Sequence, residues 1–270
     1  MFDSVSRREA LRRMTAAAAF FRMRAARAEE YGEGSSRPPE EPAAPAAEAA
    51  PEAPPVCTVT AQSVEGPFYF DAKLVRDDIS EARAGAPLNL ALRVIEAGPC
   101  TPLANARVDV WHADAQGMYS GYTRQGPSGD VSTKGQTFLR GTQMTNGDGR
   151  VLFLTIYPGW YPGRAPHIHV KILLEQKLLA TAQLYFPEIL SQRIYGERNP
   201  YSARGGPETP NSKDGLFRSA GGNEGHAVAA ISAIGDIITA TLTISVDRSG
   251  KDAAQTQGGI WRWLHEFIAK

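Results

Sequence analysis

Apolar and polar residues alternate with a period of two along several short stretches of this 270-residue chain. Leu88, Leu90, Leu92 and Val94 in "LNLALRVIEA" show the alternation most clearly. "ARVDVWHAD", "GRVLFLTIYP", "HIHVKILL", "LLATAQLYF" and "TATLTISVD" are similar β-rich runs. Successive side chains of a strand point to opposite faces, so such runs read as strands with one face in a core. Gly, Pro, Asn and Asp punctuate them, and "TNGDGR" at 145–150 reads as a hairpin turn. Many short strands and few helical windows predict an all-β domain, a sandwich or barrel, over residues 56–250. The polar stretch from Tyr195 to Gly225 is too long for a plain connection and reads as a functional or packed loop. At the end, Ile260, Trp263, Leu264, Phe267 and Ile268 follow helical spacing, which predicts an amphipathic helix over 251–270 that packs on the sandwich.

Composition changes this picture mainly before residue 56. Residues 1–28 carry seven Arg against Asp3 and Glu9, and Arg7-Arg8 precede an apolar stretch interrupted by Arg22 and Arg24. With Ala26-Arg27-Ala28 as a small-x-small cleavage site, the segment resembles a twin-arginine export signal. That predicts a periplasmic or extracellular protein; read instead as a basic, Ala-rich helix, the segment leaves a cytoplasmic one. Residues 29–55, with seven Glu against Arg37 and many Ala and Pro, read as a disordered linker. The remainder carries 21 basic and 20 acidic residues, which gives no electrostatic reason to expect nucleic acid. No apolar run approaches the roughly 18 residues of a membrane span. The cysteines are Cys57 and Cys100. In an exported chain an even count favours a disulfide, worth about 4 kcal/mol by loop entropy; the alternative is two buried thiols.

The chemistry is concentrated in "PGWYPGRAPHIHVKI". In a strand His167 and His169 present two imidazoles on one face, with Ile168 and Val170 on the other. Such a pair suits a metal, and also occurs by chance on solvent faces. Its neighbours favour the metal: Tyr157, Tyr161 and Arg164 lie just upstream, Tyr119 and Tyr122 follow the "VDVWH" strand, and Gln183 sits in the next strand. A phenol titrates near 10, but a trivalent cation would strip its proton. Two phenolates and a hydroxide would neutralise a +3 ion.

"EGPFYF", "VDVWHADAQGMYSGY", "FLRGTQMTNGDGRVLFLTIYPGWYPGRAPHIHV" and "TAQLYF" together resemble the intradiol ring-cleaving dioxygenases, over roughly residues 57–190. The resemblance implies a β-sandwich and a mononuclear, non-haem Fe(III) centre that opens a catechol with O2 to a cis,cis-muconate-type diacid. It is greatest to the exported, single-domain branch. A linker stands where catechol 1,2-dioxygenases have dimerisation helices, so a monomer is the expectation. By motif the implied ligands are Tyr119, Tyr161, His167 and His169, with Tyr122 and Tyr157 as competing tyrosines. Tyr161 is the ligand that substrate would displace, and Arg164 and Gln183 would stabilise developing charge on it. Phe68 and Tyr69, with the Val75–Ile79 segment, are expected to wall the substrate pocket. His112 reads as a packed residue, and His226 and His265 as non-catalytic. The rival readings are a zinc or ferrous site built on the His pair alone, and a metal-free carrier of aromatic ligands.

Overall fold

In a computed structural model of the chain, residues 56–222, 226–251 and 253 are described. The signal segment, the linker and almost all of the C-terminal helix expected from the sequence lie outside them. Among the described residues, eight strands form two four-stranded sheets. One has the order β4(Arg150–Ile156), β1(Pro87–Glu96), β8(Ile237–Val246) and β7(Ala230–Ile234). The other has β3(Arg140–Met144), β2(Arg107–Trp111), β5(His167–Leu174) and β6(Lys177–Tyr185). All pairings are antiparallel except β1 with β8.

Side-chain alternation explains the sandwich. Leu88, Leu90, Leu92 and Val94 of β1, Phe153 of β4 and Ile244 of β8 share one buried core with Val108 and Val110 of β2 and Ile168, Val170 and Ile172 of β5. Each sheet thus turns one apolar face inward. The turn at "TNGDGR" forms, with Asn146 N–H donating to the Arg150 carbonyl (3.1 Å) and Gly149 N–H to the Asn146 carbonyl (2.9 Å). It is not a hairpin, however: β3 pairs with β2 and β4 with β1, so the turn carries the chain from one sheet to the other. A hairpin signal reports local backbone conformation and cannot say which strands will pair.

The long polar stretch begins in the last turn of α1(Glu188–Glu197) and contains a 3-10 turn at Asn211–Lys213 and the short helix α2(Gly215–Ser219). Cys57 and Cys100 are joined by a disulfide with an S–S distance of 2.04 Å. It fastens the first described residues to the turn after β1, where Gly98 N–H also donates to the Cys57 carbonyl (2.8 Å). No helix among the described residues is long and apolar enough to cross a membrane.

Candidate metal centre

The outer face of the β3-β2-β5-β6 sheet carries the site. Register places Arg140 opposite Trp111, Trp111 opposite His169, and His169 opposite Gln183, one row across four strands. A second row sets His167 opposite Tyr185. Because Ile168 and Val170 point into the core, both histidines face away from it, yet they are only 3% and 2% exposed. Loops cover them. Trp111 stacks on the His169 ring, with centroids 4.7 Å apart and planes at 10°. The His167 Nδ1–H donates to the Ala165 carbonyl at 2.6 Å, which leaves its Nε2 lone pair facing outward.

Two turns deliver the phenols. "YPGR" closes with Arg164 N–H donating to the Tyr161 carbonyl (3.1 Å), Pro162 leading and Gly163 at φ +80°, the left-handed value such a turn demands. This sets Tyr161 and Arg164 side by side. After β2, the Asp114 carboxylate accepts from Gln116 N–H and Met118 N–H, both at 3.0 Å, and turns the chain toward Tyr119. The two turns touch backbone to backbone: Gly159 N–H donates to the Asp114 carbonyl at 3.0 Å, and a Cβ on Gly159 would lie 2.1 Å from that oxygen.

Four donor atoms consequently converge. His167 Nε2 is 3.2 Å from His169 Nε2, 3.2 Å from Tyr161 Oη and 3.4 Å from Tyr119 Oη. Donors about 2 Å from a shared ion, at angles between 90° and tetrahedral, stand roughly 3 Å apart. The set therefore fits one metal ion. Burial, reinforced by Arg164 at both rings and by the His167 ring at His169, holds both imidazoles well below the ordinary histidine range, in the neutral form that binds metals. Burial raises both phenols; at Tyr161 the Arg164 guanidinium pulls back against it. Among the described residues no group of three or more His, Cys, Asp or Glu side chains could hold a metal. A metal here depends on the phenols.

Arg164 organises the open side. Its Nη1 donates to Tyr161 Oη (3.3 Å), and its Nη2 donates to Tyr185 Oη (2.9 Å) and to Gln183 Oε1. Gln183 also accepts from the Tyr185 hydroxyl (2.9 Å) and donates through Nε2 to the Val64 carbonyl (3.1 Å), which fixes its amide. Phe68 stacks on Tyr119, with centroids 4.5 Å apart. Tyr69 turns the other way, donating to Asp109 Oδ2 (2.8 Å) and leaning on Trp111. Val75–Ile79 runs along β3 and β4, and Ile79 enters the core. The competing tyrosines are engaged elsewhere. Tyr157 is buried against Phe186 and shares a hydrogen bond with Ser191 Oγ (2.7 Å), while Tyr122 donates to the Tyr69 carbonyl (2.9 Å). His112 is fully buried between the Ala113 carbonyl and Thr155 Oγ1, both at 2.8 Å. His226 lies in a loop, and His265 is outside the described residues.

Trp111, Tyr185 and Asp214 escaped the sequence reading. Tyr185 lies two residues beyond Gln183 and therefore on its face of β6, a signal that period two provides. Trp111 has the same kind of signal in β2. Asp214 has none, because it reaches Arg164 from 50 residues away.

A family model described as Dioxygenase matches residues 64–190. The chain is 31% identical to an intradiol ring-cleavage dioxygenase from Tetranychus urticae, with a TM-score of 0.63 over 71% of this chain and 95% of that one. It is 26% identical to the dioxygenase domain of a dioxygenase carbohydrate-binding protein fusion from Streptomyces sp. SirexAA-E, with a TM-score of 0.51 over 70% of this chain and 99% of that one. Catechol 1,2-dioxygenase 1 of Acinetobacter lwoffii is 32% identical over 106 residues, 38% of this chain and 32% of that protein. Chlorocatechol 1,2-dioxygenase of Rhodococcus opacus is 25% identical over 158 residues, 47% of this chain and 56% of that protein. The match thus spans from a third to just over half of these two curated relatives, whereas it takes in nearly the whole of the Tetranychus urticae enzyme. On that likeness, the chain belongs to the intradiol ring-cleavage dioxygenase family.

Proposed function

We propose that this chain is a non-haem Fe(III) intradiol dioxygenase that adds both atoms of O2 to a catechol. The ring opens between its two hydroxylated carbons to give a cis,cis-muconate-type diacid, and no other reactant is needed. The observation that carries the proposal is the convergence of Tyr119 Oη, Tyr161 Oη, His167 Nε2 and His169 Nε2, with Arg164 and Gln183 at its open side. Two anionic phenolates and two neutral imidazoles suit a hard trivalent ion. Two histidines alone leave a zinc site two ligands short of its usual four. When bound, the ferric ion supplies the Lewis acidity and electron affinity that prepare a catecholate for reaction with O2.

The protein residues divide the remaining work. Tyr119 is the fixed phenol. It is 1% exposed, stacked under Phe68, and held by its own N–H on Gln125 Oε1 (2.8 Å) and its carbonyl under Thr133 Oγ1 (2.6 Å). Tyr161 is partly exposed and is the phenol free to swing aside. Its Oη takes up one catechol proton as substrate arrives, which is base catalysis by the displaced group. Arg164, its Nη1 released as Tyr161 leaves, then faces the oxygen on which negative charge develops and stabilises it by a preorganised hydrogen bond, while Gln183 keeps the guanidinium in place by accepting from its Nη2. Phe68 supplies an apolar wall. The disulfide supports the further reading that the chain works in an oxidising compartment, reached through the signal segment. A mature N-terminus still near Met1 would refute export.

Purified protein should be red to purple from tyrosinate-to-iron charge transfer and carry one iron per chain. It should also consume O2 with at least one member of a catechol panel. A colourless protein that stays iron-free after reconstitution with iron salts sinks the proposal.

A further inference from the structure

Asp214 is 1% exposed, and both of its carboxylate oxygens are saturated. Oδ1 accepts from Leu216 N–H (2.9 Å) and Phe217 N–H (3.3 Å), capping α2. Oδ2 accepts from Arg164 Nε (2.9 Å) and from Ala165 N–H (3.0 Å). Capping a five-residue helix occupies only one oxygen. The other grips the segment that leads from Tyr161 to His167.

We propose that Asp214 is the positioning residue of ring cleavage, holding Arg164 and the Ala165 backbone as one unit and so fixing where the guanidinium meets Tyr161 and Gln183. The geometry of a guanidinium makes this specific. Nε lies on the edge away from the outer Nη protons, so tying Nε to a fixed carboxylate sets the plane of the fork. Both Nη groups are then aimed, one at Tyr161 and one at Gln183 and Tyr185. Ala165 extends the control to a ligand, because its carbonyl accepts from His167 Nδ1–H. A second path closes the same ring: Phe217, whose N–H Asp214 caps, packs edge-on against Tyr185 at 5.0 Å. Asp214 touches neither a donor atom of the centre nor Gln183, so its effect passes through Arg164 and Ala165.

The inference rests on the proposed function for its kinetic consequence but not for its structural one. Asp214→Asn keeps size and capping ability while losing charge. Asp214→Ser keeps a cap but is too short to reach Arg164. Both variants should retain iron and colour, keep the catechol KM within about threefold, and lose roughly 10- to 100-fold in kcat. In an Arg164→Gln background, Asp214→Asn should cost much less in kcat than in the native background, because only the path through Ala165 is left to lose. In iron-free protein the Arg164 Nε–H resonance, assigned by its loss in Arg164→Lys, should exchange slowly with water in the native chain and rapidly in both Asp214 variants. Near-native kcat in both variants, an equal kcat loss in both backgrounds, or unchanged Nε–H exchange would overturn the proposal. A protein without iron or catechol turnover refutes the dioxygenase reading instead and leaves the exchange result to decide the role of Asp214.

Discussion

Replacing Tyr161 by Phe separates chemistry from architecture. The substitution deletes one hydroxyl and keeps the ring. That hydroxyl meets His167 Nε2 at 3.2 Å and Arg164 Nη1 at 3.3 Å, both at the long end for hydrogen bonds. Neither partner is stranded by its loss. His167 Nε2 retains Tyr119 Oη, and Arg164 retains Asp214, Gln183 and Tyr185. The stability cost is therefore that of one ordinary hydrogen bond without a buried orphan, about 1 kcal/mol. In a folded unit of this size that moves the melting temperature by about 2–4 °C. Turnover should suffer far more. Removing both a ligand and the base that takes up the catechol proton should cost roughly 10²–10⁴ in kcat. Stopped-flow O2 consumption and the visible spectrum of the iron-loaded protein, with thermal melting of the iron-free protein, test the three expectations. The charge-transfer band should weaken and shift as one of two tyrosinates disappears. A variant that turns over within threefold of wild type, with an unaltered band, refutes the role given to Tyr161. A melting temperature lowered by 10 °C or more refutes the claim that its hydroxyl is structurally dispensable.

The buried His112, pushed down to about 4 by loss of solvent, must stay neutral in the folded chain. Its contribution to stability is intact above the unfolded value of about 6.5 and drains away as pH falls toward 4, with about 2 kcal/mol gone by pH 5. The stability gap between wild type and His112→Gln should narrow by that amount between pH 7 and 5 in denaturant titrations of the iron-loaded protein; a constant gap refutes the shift. Cys57→Ser with Cys100→Ser reopens a 43-residue separation and should cost up to about 4 kcal/mol while leaving ring cleavage intact. A melting temperature insensitive to reductant would contradict this. Gly159→Ala would drive a methyl group to 2.1 Å from the Asp114 carbonyl and push apart the turns that carry Tyr119 and Tyr161. Iron stoichiometry should fall with it, and full iron occupancy in a folded variant would show that the close backbone approach is not needed.

How much of this was legible beforehand follows from the range of each interaction. The β1 alternation, the inward face of β5 and the paired imidazoles are period-two facts, carried by neighbours in the chain. Strand pairing is not local, which is why a good turn at 145–150 suggested a hairpin where the chain in fact changes sheets. The choice of Tyr119 over Tyr122 and of Tyr161 over Tyr157 needed motif resemblance, because a tyrosine's direction depends on packing: Tyr157 differs from Tyr161 by lying against Phe186 and Ser191. Asp214 was beyond reach, since its meaning depends on folding a polar loop back over β5 and β6.

Register is the step that turns these fragments into a site. On the outer face, Arg140, Trp111, His169 and Gln183 are far apart in sequence but consecutive across the sheet. A one-residue slip of β5 would replace His167 and His169 by Ile168 and Val170 on that face and put both imidazoles into the core. The core prevents it. Ile168 and Val170 are 0% exposed, and each would lose its burial, roughly 2 kcal/mol apiece, while two polar rings were forced inward. The apolar residues of β5 thus hold its two outward-facing histidines in place from the opposite face of the strand. Core substitutions at Ile168 or Val170 should therefore weaken iron binding in proportion to the register they release, and not merely in proportion to the volume they remove.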